Sequence, residues 1–318
     1  MLTVLIAGKW RLTRVLVQLT LGAVLLLWLL ARIHPSRIVE AVGEASWTWL
    51  GSAIILLLLA PLPAAARLFV LFHARGLSFA AALRVTLVSY FFNQILPTGL
   101  GGDLYRVARL RGPQQGWTAT LALVGLERGI GLATLLVPAT AIAGWQAIAG
   151  NLTLVRFSRV GSPSAVVLFS SLAAALAGVL LLARYRVRLR ATLLAVRSTL
   201  KGLSARDLSW ITVLSLAFHG FRILGMACLL MSLRYRISAD ELLVAMAIAL
   251  IATMVPLSIG ALGVQEGALV LALGAFGVPA APAMAAALLN RGALMTLGAA
   301  GALLLFSREG TNSPGQVA

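Results

Sequence analysis

The sequence predicts an all-α polytopic membrane protein, with about eight membrane segments in two inverted repeats carrying paired re-entrant Pro/Gly turns. Three observations carry this expectation. Hydrophobic residues fill 60% of the 318 positions, charged ones only 11%, and the mean hydropathy is +0.98, far from the balance of a soluble domain. Two stretches, "ILPTGLGGDLYRVARL" (Ile95 to Leu110) and "MVPLSIGALGVQEGALVLAL" (Met254 to Leu273), interrupt apolar runs with proline, glycine and charge in the same order. Lysine and arginine gather at the ends of the runs, where they act as topological signals.

Apolar windows fall at about 15–33, 47–66, 79–97, 117–149, 163–183, 208–233, 238–257 and 282–306. The first follows Lys9, Arg11 and Arg14 and superficially resembles a secretory signal, with Ala41 and Gly43 as a small-x-small pair. Its run from Val15 to Ala31 exceeds the roughly 7–15 residues of a signal core, so an uncleaved first span is expected. Between the fifth and sixth windows lie Arg184, Arg186, Arg188, Arg190, Arg197, Lys201 and Arg206. Positive residues are retained on the cytoplasmic side, which places that loop, the N-terminus and a loop holding Arg67 and Arg75 there. Leu189, Leu193, Val196, Leu200 and Leu203 recur at helical spacing, so 184–207 is expected to be a basic amphipathic helix in the interface.

For these assignments to agree, the 79–97 segment and the stretch after it must enter from the cytoplasm and return. Pro97 to Gly102 is then a turn near membrane depth, and a short helix descends from Asp103 through Arg111. The same scheme makes the Pro256 turn enter and return from outside. Irregular backbone at that depth persists only where protein or a wet cavity satisfies its polar groups, so both turns are expected to line an interior.

Recurring offsets support two repeats. Pro97 to Pro256 and Gly101 to Gly260 are each 159 residues apart, "LSFAAAL" at Leu77 matches "ISADELL" at Ile237 with an offset of 160, and Arg128 to Arg291 spans 163. Repeat one covers about 15–149 and repeat two about 163–306, within one transmembrane domain over 1–318 that ends in a flexible tail, 307–318.

Asp103, Arg106, Glu127, Arg128, Arg222, Glu266 and Arg291 fall in or beside spans. A charge near the bilayer centre costs about 2.5–3.5 kcal/mol on insertion scales, so these must pair, face water or sit shallow. Four are cationic and three anionic; full pairing leaves one positive charge, which suits a phosphate. A helix starting after Gly102 offers free N–H groups to an anion, with glycine allowing close approach and Arg106 adding charge. Asp103 competes with an anion there, or instead caps the helix or holds Arg106 at spacing i, i+3. Glu127 and Arg128 contact either substrate or other spans. His219 is expected to make an interhelical hydrogen bond rather than relay protons, and Arg109 and Arg111 are expected interface anchors.

A single cysteine, Cys228, excludes an intrachain disulfide. With no Asp-rich metal motif, Cys/His cluster, serine nucleophile constellation or nucleotide-binding loop, neither enzymatic activity nor a cofactor or metal is expected. In this composition the net charge of +17 points to a phospholipid surface rather than nucleic acid.

The motifs "NQILPTGLGGDLYR", "GLERG" and "PLSIGALGVQEG" resemble the membrane region of lysylphosphatidylglycerol synthases, a flippase-like family, from about Arg67 to Phe306. Asn93, Pro97, Gly101, Gly102, Asp103 and Arg106 match its first motif, Glu127 and Arg128 its second, and Pro256, Gly260, Gly263 and Glu266 its third. The resemblance implies a lipid translocase, with lysyl-phosphatidylglycerol as the substrate in fused relatives. The 318 residues include no aminoacyl-transferase domain after the last apolar run, so synthase activity is not expected of them. Stand-alone relatives accompany isoprenoid-linked glycan or hopanoid pathways, leaving several lipid classes open.

The expected function is therefore movement or binding of an anionic phospholipid or lipid-linked precursor between leaflets. The site is drawn from the motif residues with Arg222 and Arg291. Two alternatives stand beside it: a non-transporting accessory that organises biosynthetic partner proteins, and a membrane-embedded lipid-processing enzyme. The expected location is the cell inner membrane or plasma membrane, multi-pass, with the N-terminus cytoplasmic.

Overall fold

A computed structural model of the chain describes residues 2–96, 101–112, 116–148, 202–254 and 257–307, and these hold helices and no strand. In chain order the α-helices are α1 (Leu2–Ile33), α2 (Pro35–Gly43), α3 (Trp47–Leu59), α4 (Pro61–Phe72), α5 (Phe79–Ile95), α6 (Gly101–Leu110), α7 (Trp117–Ile148), α8 (Ala205–Ser232), α9 (Ala239–Met254), α10 (Val264–Ala275) and α11 (Ala280–Phe306). Local chemistry sets several starts. Pro35 and Pro61 open α2 and α4, where a missing N–H leaves no intrahelical bond unmade. The Ser78 hydroxyl accepts from the Ala81 N–H at 3.2 Å to cap α5. Reciprocal Ser204–Asp207 and Ser238–Glu241 bonds cap α8 and α9.

Among the described residues, five helices are long and apolar enough to cross a membrane: Leu16–Ile33, Trp47–Arg75, Trp117–Trp145, Ala205–Ser232 and Ala280–Phe306. The expected run 79–97 is the 17-residue α5, and 238–257 is the 16-residue α9. The window 163–183 and nearly all of the basic 184–207 stretch lie outside the described residues, as do Pro97 and Pro256.

One boundary is corrected. Arg67 was expected in a cytoplasmic loop, but it lies on α4 with only 7% of its surface exposed. The segment does not stop at 66. Ala60 keeps helical backbone between α3 and α4, and Leu68 to Phe72 continue the apolar run beyond the arginine.

The helices associate in matched pairs. The first hairpin, α5 with α6, packs its first arm on α11 and its second on α7; the other, α9 with α10, packs its first arm on α7 and its second on α11. α8 lies against α3 and α4. Two ties fix which ends lie together. The Ser46 N–H, before α3, donates to the Ser232 carbonyl at the end of α8 (2.8 Å). Arg84 near the start of α5 donates to the Leu304 carbonyl near the end of α11 (2.5 Å). α9 thus starts, a few residues after Ser232, at the end where α3 begins, whereas α5 starts just after α4, at the other end of the span Trp47–Arg75. On α11, Gly301 lets the Leu87 carbonyl of α5 approach so closely that a Cβ there would overlap it, the use membrane helices make of small residues at crossings.

The surface is apolar, and the apolar interior also holds charge. Large exposed side chains include Leu27, Val137, Leu303 and Phe306, with Trp47, Trp117, Trp145 and Trp210 near helix ends, as expected of lipid-facing surface with interfacial aromatics. The interior, by contrast, buries Arg67, Glu127, Glu266 and Arg291.

Candidate functional site: a polar cavity between the hairpins

The interior charges lie around an open cavity of about 280 Å³ lined by residues of α4, α5, α6, α7, α8, α9, α10 and α11 and by Gly260 and Ala261 of the second turn. In the first half both carboxylates at the cavity are engaged. Glu127, 1% exposed on α7, forms an ion pair with Arg67 Nη2 at 3.1 Å and accepts a hydrogen bond from Arg106 Nη1 at 3.2 Å. Arg67 also donates to the Ser215 hydroxyl at 2.8 Å, and Arg106 Nε to that of Ser89 at 3.2 Å. Asp103 pairs with Arg128 and stands 4.0 Å from Arg106. It therefore holds Arg106 at i, i+3 as expected while also reaching the next span. Glu127 and Arg128, adjacent in sequence, each contact other elements.

In the second half, Arg291 Nε donates to Glu266 Oε1 at 2.5 Å, and Glu266 Oε2 accepts from the Gly263 N–H at 2.7 Å. The two remaining nitrogens of Arg291 donate to the carbonyls of Gly260 (2.8 Å) and Ala261 (3.2 Å). One guanidinium thereby satisfies the irregular backbone of the second turn, which apolar surroundings would otherwise leave unpaired. Asp103 to Arg128 and Glu266 to Arg291 are both separations of 25 residues. Each joins the return helix of a hairpin to the span after it.

The glycines act differently from expectation. Gly102 was expected to let an anion reach the helix start. Its N–H is instead taken by Asn93 Oδ1 at 2.7 Å, and a Cβ on it would lie 2.5 Å from the Ser89 carbonyl. Gly102 is thus a packing residue between α5 and α6. Gly101 is likewise buried, against Phe92 and Leu96. Gly260, with φ +58°, takes a left-handed turn conformation and sits against Gln94, where a Cβ would come within 2.9 Å of its carbonyl. The second turn therefore touches the end of α5, just before the first interruption. Gln94, which closes α5 over this turn, donates to Leu294 of α11 at 2.7 Å. Gly263, φ +76°, meets α1 at Gly22 and does not line the cavity.

Arg106 was expected to be the cation that meets a phosphate, but it already pairs with Glu127 and stands 4.0 Å from Asp103, carboxylates it shares with Arg67 and Arg128. Of the five arginines that line the cavity, Arg222 on α8 is the one with no carboxylate at ion-pair distance among the described residues, and its guanidinium lies 5.9 Å from the centre of the Phe218 ring. Arg67 approaches the same ring at 5.2 Å. His219 Nε2 makes the expected interhelical hydrogen bond, 2.7 Å from the Gly131 carbonyl of α7. Arg111 lies 5.0 Å from the Trp117 ring on an exposed face, consistent with an anchor at a helix end.

The sequence reasoning missed Arg67, Ser89, Tyr90, Gln94 and Asn290, all of which line the cavity. For Arg67 a signal was present, because the apolar run resumes after it; the neutral residues carry none that distinguishes them from ordinary interhelical polar contacts.

No curated protein and no solved structure matches the chain. Residues 15–301 match the family described as "Lysylphosphatidylglycerol synthase TM region", a range that takes in both hairpins and every charged residue around the cavity. The chain is therefore a multi-pass membrane protein that belongs to the lysylphosphatidylglycerol synthase transmembrane-region family.

Proposed function

We propose that this protein is a lipid translocase that receives the head group of an anionic lipid, or of a lipid-linked precursor, in the cavity between the hairpins. The observation that carries the proposal is the charge around that cavity: five guanidiniums, Arg67, Arg106, Arg128, Arg222 and Arg291, face three carboxylates, Asp103, Glu127 and Glu266. Unneutralised positive charge inside apolar helices draws an anion, and the guanidinium fork suits phosphate. At about 280 Å³, the space is just below the roughly 300–1,000 Å³ of pockets that hold a whole small-molecule ligand, which fits a head group whose acyl chains stay outside. The remaining motif residues act as scaffold, Asn93 and the glycines shaping the turns and the ion pairs holding them. No step of this mechanism calls for catalysis or a cofactor.

The architecture we propose is one transmembrane domain of two inverted repeats. It is supported by the crossed packing of each hairpin on the other half's last span, by the two ion pairs with equal separation, and by hairpins that start from opposite ends. Such halves place a site near the midplane, where rocking of one against the other exposes it alternately. Cysteines placed singly at Arg75 and Arg111 are expected to label from the cytoplasm, and one at Arg236 from outside, with the N-terminus cytoplasmic. Labelling of Arg75 and Arg111 from opposite sides would remove the re-entrant first hairpin.

Native mass spectrometry of the protein extracted with its lipids tests the binding step. Anionic lipid should be retained over phosphatidylcholine. Equal retention of both would favour the accessory role, in which the protein organises biosynthetic partners without handling lipid.

A further inference from the structure

We propose that Arg222 is the residue that grips the anionic oxygens of the head group, and that Asn290 frees it for this by standing where the other half has a carboxylate. This deepens the translocase reading and rests on it. Asn290 and Glu127 precede Arg291 and Arg128, and both pairs of positions are 163 residues apart. Arg128 and Arg291 make the corresponding ion pairs to Asp103 and Glu266, so positions 127 and 290 correspond in space as well as in sequence. In the first half, Glu127 neutralises Arg67 from the preceding span.

In the second half the preceding span is α8, and it presents Arg222. The order span, hairpin, span is the same, and Arg67 and Arg222 approach one phenyl ring, that of Phe218, at 5.2 and 5.9 Å. Arg222 and Asn290 line one recess together with Tyr90 and also face the main cavity. Yet the residue at 290 is an amide, buried to 3% exposure, and its Oδ1 has no hydrogen-bond partner. Among the described residues Arg222 has neither an ion pair nor a hydrogen bond to satisfy it. Each half thus builds the same arginine site, and the first fills it internally with Glu127. The second needs an anion from elsewhere.

The ligand chemistry this selects is an oxyanion, the phosphate of a lipid head group or a free phosphate ion, because a guanidinium presents parallel donors that fit two such oxygens. Asn290→Asp is a nearly isosteric change that supplies the carboxylate internally. Arg222→Gln removes the charge and leaves no carboxylate orphaned, so both variants should fold. Wild type and both variants are compared in phosphatidylglycerol and phosphatidylcholine nanodiscs for retained lipid by native mass spectrometry, and in detergent for thermal unfolding with inorganic phosphate.

Both variants should unfold at or above the wild-type temperature while retaining about ten- to a hundredfold less phosphatidylglycerol, the change expected when charge-assisted hydrogen bonds are lost. Phosphate protecting wild type but not Asn290→Asp supports the same site with a free ion as occupant; protection by phosphatidylglycerol alone supports it with lipid. Wild-type retention of phosphatidylglycerol by both folded variants overturns the assignment to Arg222 and leaves the cavity proposal standing. Failure of Asn290→Asp to fold contradicts a partnerless guanidinium beside it and also overturns the assignment. Equal retention of both lipids by wild type itself overturns the cavity proposal, and this one with it.

Discussion

Glu127→Ala is expected to destabilise the protein by about 3–5 kcal/mol, as when one partner of a buried charge pair is removed. The carboxylate is 1% exposed and receives both Arg67 and Arg106. Its loss leaves two guanidiniums close together without compensation, where water screens little. Arg67 retains the Ser215 hydroxyl and the Phe218 ring, and Arg106 keeps Ser89 and Asp103 at 4.0 Å. Thermal unfolding in detergent should show a large downward shift, smaller for Glu127→Gln, which keeps the acceptor but not the charge. A wild-type unfolding temperature for Glu127→Ala would mean that these three side chains do not form a buried network.

Gly102→Leu is expected to prevent the first hairpin from closing. Even a Cβ would lie 2.5 Å from the Ser89 carbonyl and 2.8 Å from Asn93 Nδ2, both on α5, so the backbone itself must move. Parting α5 from α6 also shifts Asp103 and Arg106, and with them the ion pairs to Arg128 and Glu127. The expected outcome is aggregation or loss of the cooperative unfolding transition, measured by size-exclusion chromatography after extraction, with Gly102→Ala milder but still destabilised. A monodisperse Gly102→Leu protein that fails only in lipid binding would restore a substrate-contact role for this glycine.

Much of the fold was legible because the bilayer limits what a chain can do. Apolar runs of sufficient length become spans, and irregular backbone between them must find an interior, as Gly260 does against Gln94. The intramembrane charges were legible as a group for the same reason, since each is too unfavourable to leave exposed to lipid. Their partners were not. Arg67 looked like a loop residue because a window ended beside it, although Leu68 to Phe72 continue the helix. Arg106 and Gly102 were given ligand roles that side chains of this same chain perform, Glu127 for the charge and Asn93 for the N–H. Such a substitution of protein for ligand depends on how helices distant in sequence pack, and periodicity reports only which face is apolar. Asn290 is the sharpest case: an asparagine in an apolar helix draws notice only when set against the glutamate 163 residues earlier that neutralises an arginine.

The most direct test of lipid translocation is to follow a fluorescent phosphatidylglycerol across vesicles reconstituted with the protein, using dithionite to bleach the outer leaflet. At equal protein insertion, wild-type vesicles should lose nearly all fluorescence as label is brought outward, and Arg222→Gln vesicles should stop near half, like protein-free vesicles. Wild-type vesicles that stop at half would contradict the account; Arg222→Gln vesicles that bleach as completely as wild type would contradict the assignment to Arg222 alone.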